Sequence, residues 1–247
     1  MILTGPKIRE LVDAGIYWGG KEREIRIPSL MLDSISTKTI VDRRMNYIEI
    51  DPYDPELVGP NSVDLRLGDS LLMYRAGLEQ HQEYDEALKN IGEGIDGMGS
   101  EVLSSTQPRI ANKFVASHVL DMKAKEHPSY QVKIPEDGMI LWPGILYLGR
   151  TVEVIGSNKF VPIVEGRSSV GRLGIHVHVT AGFCDVGFRG TITLEIHVVH
   201  PVRIYPNIPI CQAYFLRPEG GIELYKGRYQ DQVDPTPSRF GIEKSKQ

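Results

Sequence analysis

The eight residues Thr191–Val198, TITLEIHV, alternate polar and apolar side chains without a break. Successive side chains of a strand point to opposite faces. Ile192, Leu194, Ile196 and Val198 therefore share one face, and Thr193, Glu195 and His197 share the other. Four aliphatics pin the register, because a slip of one residue would expose them all. Glu195 is thereby fixed in mid-strand, on the face away from the apolar one. An exposed carboxylate is the ordinary outcome there. If that face lines a closed cavity, burial raises the pKa and makes the carboxyl a usable proton acceptor and donor.

The segment before this strand, Glu165 to Gly190, is the densest site-like stretch of the chain. Gly166-Arg167-Ser168-Ser169-Val170-Gly171-Arg172 combines two glycines, two hydroxyls and two guanidiniums. Glycine permits tight turns and close approach of a ligand. Backbone N–H groups, hydroxyls and the planar arginine fork all suit phosphate oxygens. The combination predicts an anion site, against the plainer reading of a polar turn between strands. Ile175, Val177 and Val179 alternate with His176, His178 and Thr180. The histidines at 176, 178, 197 and 200 invite a zinc site, but no carboxylate or cysteine completes a set by local spacing. Surface or cross-strand histidines are the expectation.

The chain has 247 residues, 41% hydrophobic and 24% charged, enough to bury a substantial core. Its 25 glycines and 16 prolines point to many turns and a mainly β fold. The formal net charge of −4 argues against a nucleic-acid coat. Residues 150–247 nevertheless carry 12 Lys+Arg against 9 Asp+Glu, while residues 1–149 carry 16 against 23. Cys184 and Cys211 show no pairing pattern, which suits a reducing compartment. No secretory leader or apolar span is evident, so a soluble, cytoplasmic protein is expected.

In chain order, residues 4–16 predict a short helix. Thr4 is its candidate N-cap, Ile8, Leu11 and Val12 form its apolar stripe, and Gly15 ends it. Val63, Leu65 and Leu67 alternate as in a half-buried strand, with Asp64 and Arg66 on its polar side. Asp64 is expected to form a structural salt bridge or to meet a ligand. Residues 76–128 have the look of an insertion, with the glycine-rich run Asn90–Gly99 as a mobile loop. His81-Gln82-Glu83 matches half of a zinc-deaminase signature, but the two lone cysteines cannot supply its P-C-x-x-C half. From residue 131 onward, short strand-like runs and turn signals alternate, as in a sandwich or barrel. The polar tail from Gly221 is expected to be disordered or to be an arm that orders on a ligand or a neighbouring subunit.

Several stretches together resemble the dCTP deaminases, of the same superfamily as the trimeric dUTPases. They are Asn61-Ser62-Val63-Asp64-Leu65-Arg66-Leu67-Gly68, Arg167-Ser168-Ser169-Val170-Gly171-Arg172-Leu173-Gly174, Val177-His178-Val179-Thr180-Ala181, Asp185-x-Gly187-Phe188-x-Gly190, Leu194-Glu195 and Pro235-Thr236-Pro237-Ser238-Arg239. The resemblance covers about three-quarters of the chain. It implies one dUTPase-like distorted β-barrel, jelly-roll-like, over residues 1–247, with a short N-terminal helix, insertions at about 18–46 and 76–128, and a C-terminal arm at 221–247. It also implies a homotrimer with active sites between subunits, acting on a nucleotide and not on nucleic acid or a membrane.

The activity implied is hydrolytic deamination of dCTP to dUTP and ammonia, feeding dUMP and dTTP synthesis. Magnesium enters on the triphosphate, and no zinc takes part. By resemblance, Glu195 is the general base that activates water, and Arg172 and Ser168 position Glu195, the water and the base. Arg167 and Ser169 hold the triphosphate. Asp185 holds the sugar 3′-hydroxyl, Phe188 packs by the sugar, and Val179, Thr180 and Ala181 wall the cytosine. Arg228, Tyr229 and Gln232 fall near the family's phosphate-closing segment, with Arg228 standing where the family usually has lysine. Tyr225 is a candidate for the family's other tail tyrosine. Trimeric dUTPases normally have an apolar residue where Glu195 stands. Gly182-Phe183 and the Pro-Thr-Pro-Ser-Arg tail, however, resemble bifunctional members that carry dCTP through to dUMP and diphosphate. A dUTPase alone and a non-catalytic nucleotide-sensing regulator are the remaining alternatives.

Overall fold

The structure is a computed structural model that describes residues 1–13, 48–92, 119–178 and 181–242. The expected insertion at 18–46 lies outside the described residues. Of the expected insertion at 76–128, residues 76–92 and 119–128 are described.

Helix α1 spans Gly5–Asp13 and buries Ile8 and Leu11, while Val12 packs at the margin of the core. Strand β1 follows at Ile48–Asp51, then a single 3-10 turn at Pro55–Leu57 capped by the Asp54 carboxylate. Strands β2 (Val63–Arg66) and β3 (Ser70–Tyr74) lead into helix α2, Arg75–Gly92. The chain resumes with β4 (Ser129–Lys133), β5 (Met139–Leu141), β6 (Tyr147–Ser157) and β7 (Val161–Gly166). A one-turn helix, α3 (Ser168–Gly171), precedes β8 (Ile175–His176), β9 (Arg189–Val198), β10 (Val202–Ile204) and β11 (Pro209–Leu216).

The fold is mainly β, as expected, with a short N-terminal helix. All the named strand pairs are antiparallel. The largest sheet runs β4-β3-β6-β9-β8, with β1 added to β6; β2-β11-β7 and β10-β5 form two smaller sheets. An isolated bridge between Leu67 and Thr151 links the β2 and β6 regions. The sheets enclose a main core, to which Leu65, Leu141, Tyr147, Leu194, Ile196 and Phe215 contribute fully buried side chains, and Val161, Ile163 and Val186 form a small separate cluster. The alternation of β9 is realised as read: Ile192, Leu194, Ile196 and Val198 are buried, and Thr193, Glu195 and His197 are half-buried on the other face.

Helix α2 is a departure from the sequence reading. It takes in Asn90–Gly92, the start of the predicted mobile loop, whose remaining residues lie outside the described ones. It docks through Leu78 and Tyr84, which pack against the core, and through a polar network around buried His81. The Trp142 N–H donates to the Tyr147 hydroxyl (2.9 Å), which lies 3.1 Å from His81 Nδ1. His81 Nε2 lies 3.4 Å from Asp85, and the Trp142 indole donates to the same carboxylate at 2.8 Å. The chain of donors is complete only if Tyr147 donates to a neutral His81 whose proton sits on Nε2. Burial also lowers the His81 pKa, against the opposing pull of Asp85. His81 is thus a structural histidine, and Glu83 of the H-x-E match faces solvent.

Candidate active site

The polar face of β9 forms one wall of a cleft of about 570 Å³. Across the sheet, Leu148 of β6 stands opposite Glu195, and Arg150 stands opposite Thr193. Glu195, Ala181, Asp185 and Phe188 line the cleft together with Tyr229, Gln232 and Tyr225 from the C-terminal arm. Glu195 comes from mid-β9, where the buried aliphatics on either side fix its direction. Phe188 is 7% exposed and meets the Tyr225 ring edge-on at 5.9 Å.

The arm lies along its own chain's β9. Thr191 N donates to Gln232 O (3.0 Å), the Gln232 side-chain amide donates back to Thr191 O (2.7 Å), and Thr191 Oγ1 donates to Val233 O (2.9 Å). Further along, Thr236 N donates to Thr193 Oγ1 (3.1 Å) and Ser238 N to the Tyr74 hydroxyl (3.2 Å). Two glycines of the Asp185–Gly190 motif mark this approach. Gly187 (φ 92°) leaves room for Leu224, and Gly190 (φ 153°) leaves room for Gln232, whose carbonyl oxygen would lie 2.8 Å from a Cβ there. Arg228 does not line the cleft; its carbonyl accepts from Arg239, and its Nε is buried without a partner among the described residues.

Val179 and Thr180 lie outside the described residues. Arg167, Ser168, Ser169 and Arg172 are described but do not line this cleft. Ser168, Ser169 and Arg172 are exposed on and beside α3. Arg167 is held from below, 2.8 Å from Asp64 and donating to Pro209 O at 3.2 Å. Asp64 thus forms the expected salt bridge, with Arg167 as its partner, while Arg66 pairs instead with buried Glu153 at 2.6 Å. One chain therefore divides the predicted residues into a cleft group and an exposed group.

The cleft holds groups that the sequence did not single out. Tyr74 and Thr193 fasten the arm; Thr193 shares the Glu195 face and was legible by alternation, whereas nothing local marks Tyr74. His176 and His197 form the expected cross-strand pair, with ring centroids 4.8 Å apart. His178 differs from that expectation. It holds a left-handed backbone (φ 51°), turns into the cleft, and has no hydrogen-bond partner on either ring nitrogen among the described residues. Gln232 Oε1 is likewise buried and unpartnered. Unpaired buried groups in a cavity are ready to meet polar atoms of a ligand. Cys184 also lines the cleft, but burial and neighbouring Asp185 push its thiol up to about 12, so it is no thiolate nucleophile. Among the described residues no cluster of three or more His, Cys, Asp or Glu is placed to hold a metal ion, and no helix is long and apolar enough to cross a membrane.

Burial pushes the His178 pKa down to about 4. The folded state then refuses a proton that the unfolded chain accepts near 6.5, so the contribution of this residue is intact above about pH 6.5 and declines toward pH 4. Relative to a His178→Gln variant, the wild type should lose about 2 kcal/mol between pH 7 and pH 5. Urea midpoints at the two pH values measure this; a pH-independent difference would mean that His178 is solvated.

A mainly antiparallel β fold carries a cleft lined by acidic groups, an edge-on aromatic pair and a folded-back arm. Comparison with known proteins gives the family. The dCTP deaminase-like family model matches residues 35–217. A protein from Hathewaya histolytica named dCTP deaminase, dUMP-forming, is 41% identical over 205 residues, 83% of this chain and 95% of that one. A relative of the same name from Leptospira biflexa is 40% identical over 83% of this chain and 94% of its own. Among solved structures, the 2′-deoxycytidine 5′-triphosphate deaminase of Agrobacterium tumefaciens aligns at 19% identity and a TM-score of 0.45, over 87% of this chain and 47% of that one. The chain belongs to the dCTP deaminase-like family.

Proposed function

We propose that this protein is an enzyme that deaminates dCTP and carries the product on to dUMP. Water adds to C4 of the cytosine, ammonia leaves, and a second water attacks the α-phosphate to release diphosphate. The observation that carries this reading is that Glu195 and Asp185 line one cleft in a chain about 40% identical, over most of both lengths, to relatives named dUMP-forming. Those names favour this reading over the sequence-based reading that stops at dUTP.

In this proposal Glu195 takes the proton of the attacking water and passes protons to the ring nitrogen and the departing ammonia. Asp185 holds the sugar 3′-hydroxyl and orients the second water. Phe188 packs against the deoxyribose, and Ala181, with Val179 and Thr180, borders the base. Arg228, Tyr229 and Gln232 close over the phosphates. The set Arg167, Ser168, Ser169 and Arg172 serves the cleft of a neighbouring copy in a homotrimer: Arg167 and Ser169 at the triphosphate, Ser168 and Arg172 at the reacting centre. That none of the four lines the chain's own cleft, and that Ser168, Ser169 and Arg172 are exposed, supports that division. The substrate arrives as its Mg²⁺ complex, the ion held by hard phosphate oxygens.

Product chromatography of dCTP and dUTP reactions, run side by side with Mg²⁺, tests the reading. Ammonia, dUMP and diphosphate are expected from dCTP, and dUMP and diphosphate from dUTP. Accumulation of dUTP from dCTP would confine the enzyme to deamination. Binding of both nucleotides without turnover would favour a nucleotide sensor.

A further inference from the structure

Arg150 leaves β6 on the cleft side of the sheet, directly opposite Thr193. Its guanidinium lies over Gly68, where even a Cβ would meet Arg150 Cγ at 2.9 Å. One terminal nitrogen donates to Thr151 O at 3.1 Å, and the other lies 3.5 Å from Asp69 Oδ1. The third donor nitrogen, Nε, is buried and makes no hydrogen bond among the described residues. It faces Asp234 Oδ1 on the arm at 3.9 Å, beyond hydrogen-bonding distance. Leaving a buried donor unpaired costs about 1–3 kcal/mol, and more when the group is charged. A small inward movement of the arm would relieve that cost.

Three residues earlier the arm repeats the arrangement with a different outcome. Arg189 of β9 grips Glu49 of β1 through two hydrogen bonds, 2.9 and 2.8 Å, and also lies 3.6 Å from Asp231 of the arm. The two central strands thus offer one arginine each to two arm aspartates. The Arg189 side is satisfied by Glu49, which reaches it across β6, and the Arg150 side is not. Between the two aspartates sits Gln232, and Tyr229 lies just before them; both line the cleft.

We propose that Arg150 and Asp234 form the catch that seats the arm over an occupied cleft, Asp234 closing onto the buried Nε–H as the nucleotide draws the arm inward. This rests on the reading that the arm closes over a nucleotide. Arg150 is then a positioning residue, which acts through Tyr229 and Gln232 and touches no reacting atom. In the open arm, Asp234 is 73% exposed and water screens the pair. A filled cleft excludes that water and strengthens the bond, so the effect belongs to nucleotide binding and not to the chemical step.

A double-mutant cycle of Arg150→Gln and Asp234→Asn tests the catch with two readouts. In steady-state kinetics with Mg²⁺-dCTP, each single variant is expected to raise KM about two- to fivefold. The kcat values stay within about twofold, and the double variant is no worse than either single one. Independently of turnover, amide hydrogen exchange is followed at Thr191 and Thr236, whose N–H groups hold the arm. Bound Mg²⁺-dCTP, held unreacted in a Glu195→Gln background, should slow exchange at both amides in the parent and less in all three variants. Additive KM effects, a fall in kcat at constant KM, or nucleotide-dependent protection equal in parent and variants would overturn the catch. If dCTP binds and protects the amides but is not turned over by any variant with Glu195 intact, the proposed function fails and the catch stands.

Discussion

Glu195→Gln is expected to abolish nearly all ammonia release from dCTP while the protein keeps its melting temperature and its affinity for the nucleotide. General acid–base help of this kind is typically worth about 10²–10⁴-fold, and glutamine can neither accept nor return the proton. The substitution is nearly isosteric, and the β9 register rests on Ile192, Leu194, Ile196 and Val198, so the fold has no reason to change. Hydrolysis of dUTP to dUMP should persist in the variant, because that step is assigned to water oriented by Asp185. An ammonia assay and dUTP chromatography on the same preparation separate the two activities. Wild-type ammonia release from Glu195→Gln would remove Glu195 from the mechanism.

Leu194→Ala has the opposite signature. Leu194 is fully buried in the core, one residue from Glu195 but on the other side of the sheet. Truncating a buried leucine costs about 2–5 kcal/mol, the transfer term plus the cavity left behind. For a chain of this size that lowers the melting temperature by about 5–15 °C. At a temperature where the variant is folded, kcat should stay within a few-fold of wild type, since Leu194 does not line the cleft. Calorimetry and dCTP turnover at low temperature measure both. An unchanged melt with lost activity would place Leu194 on the functional face and reverse the alternation.

These two neighbours show why β9 was legible and other parts were not. Period-two alternation is a local signal, so β9, its buried face and the direction of Glu195 could be read directly. The stripe of α1, Ile8 and Leu11, was legible for the same reason at helical spacing. Helix α2 hid because the buried position of its docked face is His81, tied to Tyr147 and Asp85, where a periodicity search looks for leucine; Leu78 and Tyr84 beside it are only half-buried. The course of the arm was hidden differently. Gln232 and Val233 bind Thr191 through their backbone carbonyls, which any residue could offer. Tyr74 meets Ser238 across 164 residues of sequence, beyond the reach of any local pattern. His178 was counted among surface histidines because alternation gives a face and not what covers it.

The arm's attachment to its own strand also has a consequence for concentration. The stretch from Leu216 at the end of β11 to Gln230 tethers the arm beside its seat on β9. Docking is therefore unimolecular, with an effective concentration set by that tether and not by how much protein is present. Dilution leaves the arm in place. In the proposed trimer, whatever a neighbouring copy lends from Arg167, Ser168, Ser169 and Arg172 would be bimolecular and would be lost as copies separate. On the proposed trimeric arrangement, a dilute chain would keep its arm, Phe188 and Glu195 in place and would lack only the hydroxyls and guanidiniums of a neighbouring copy.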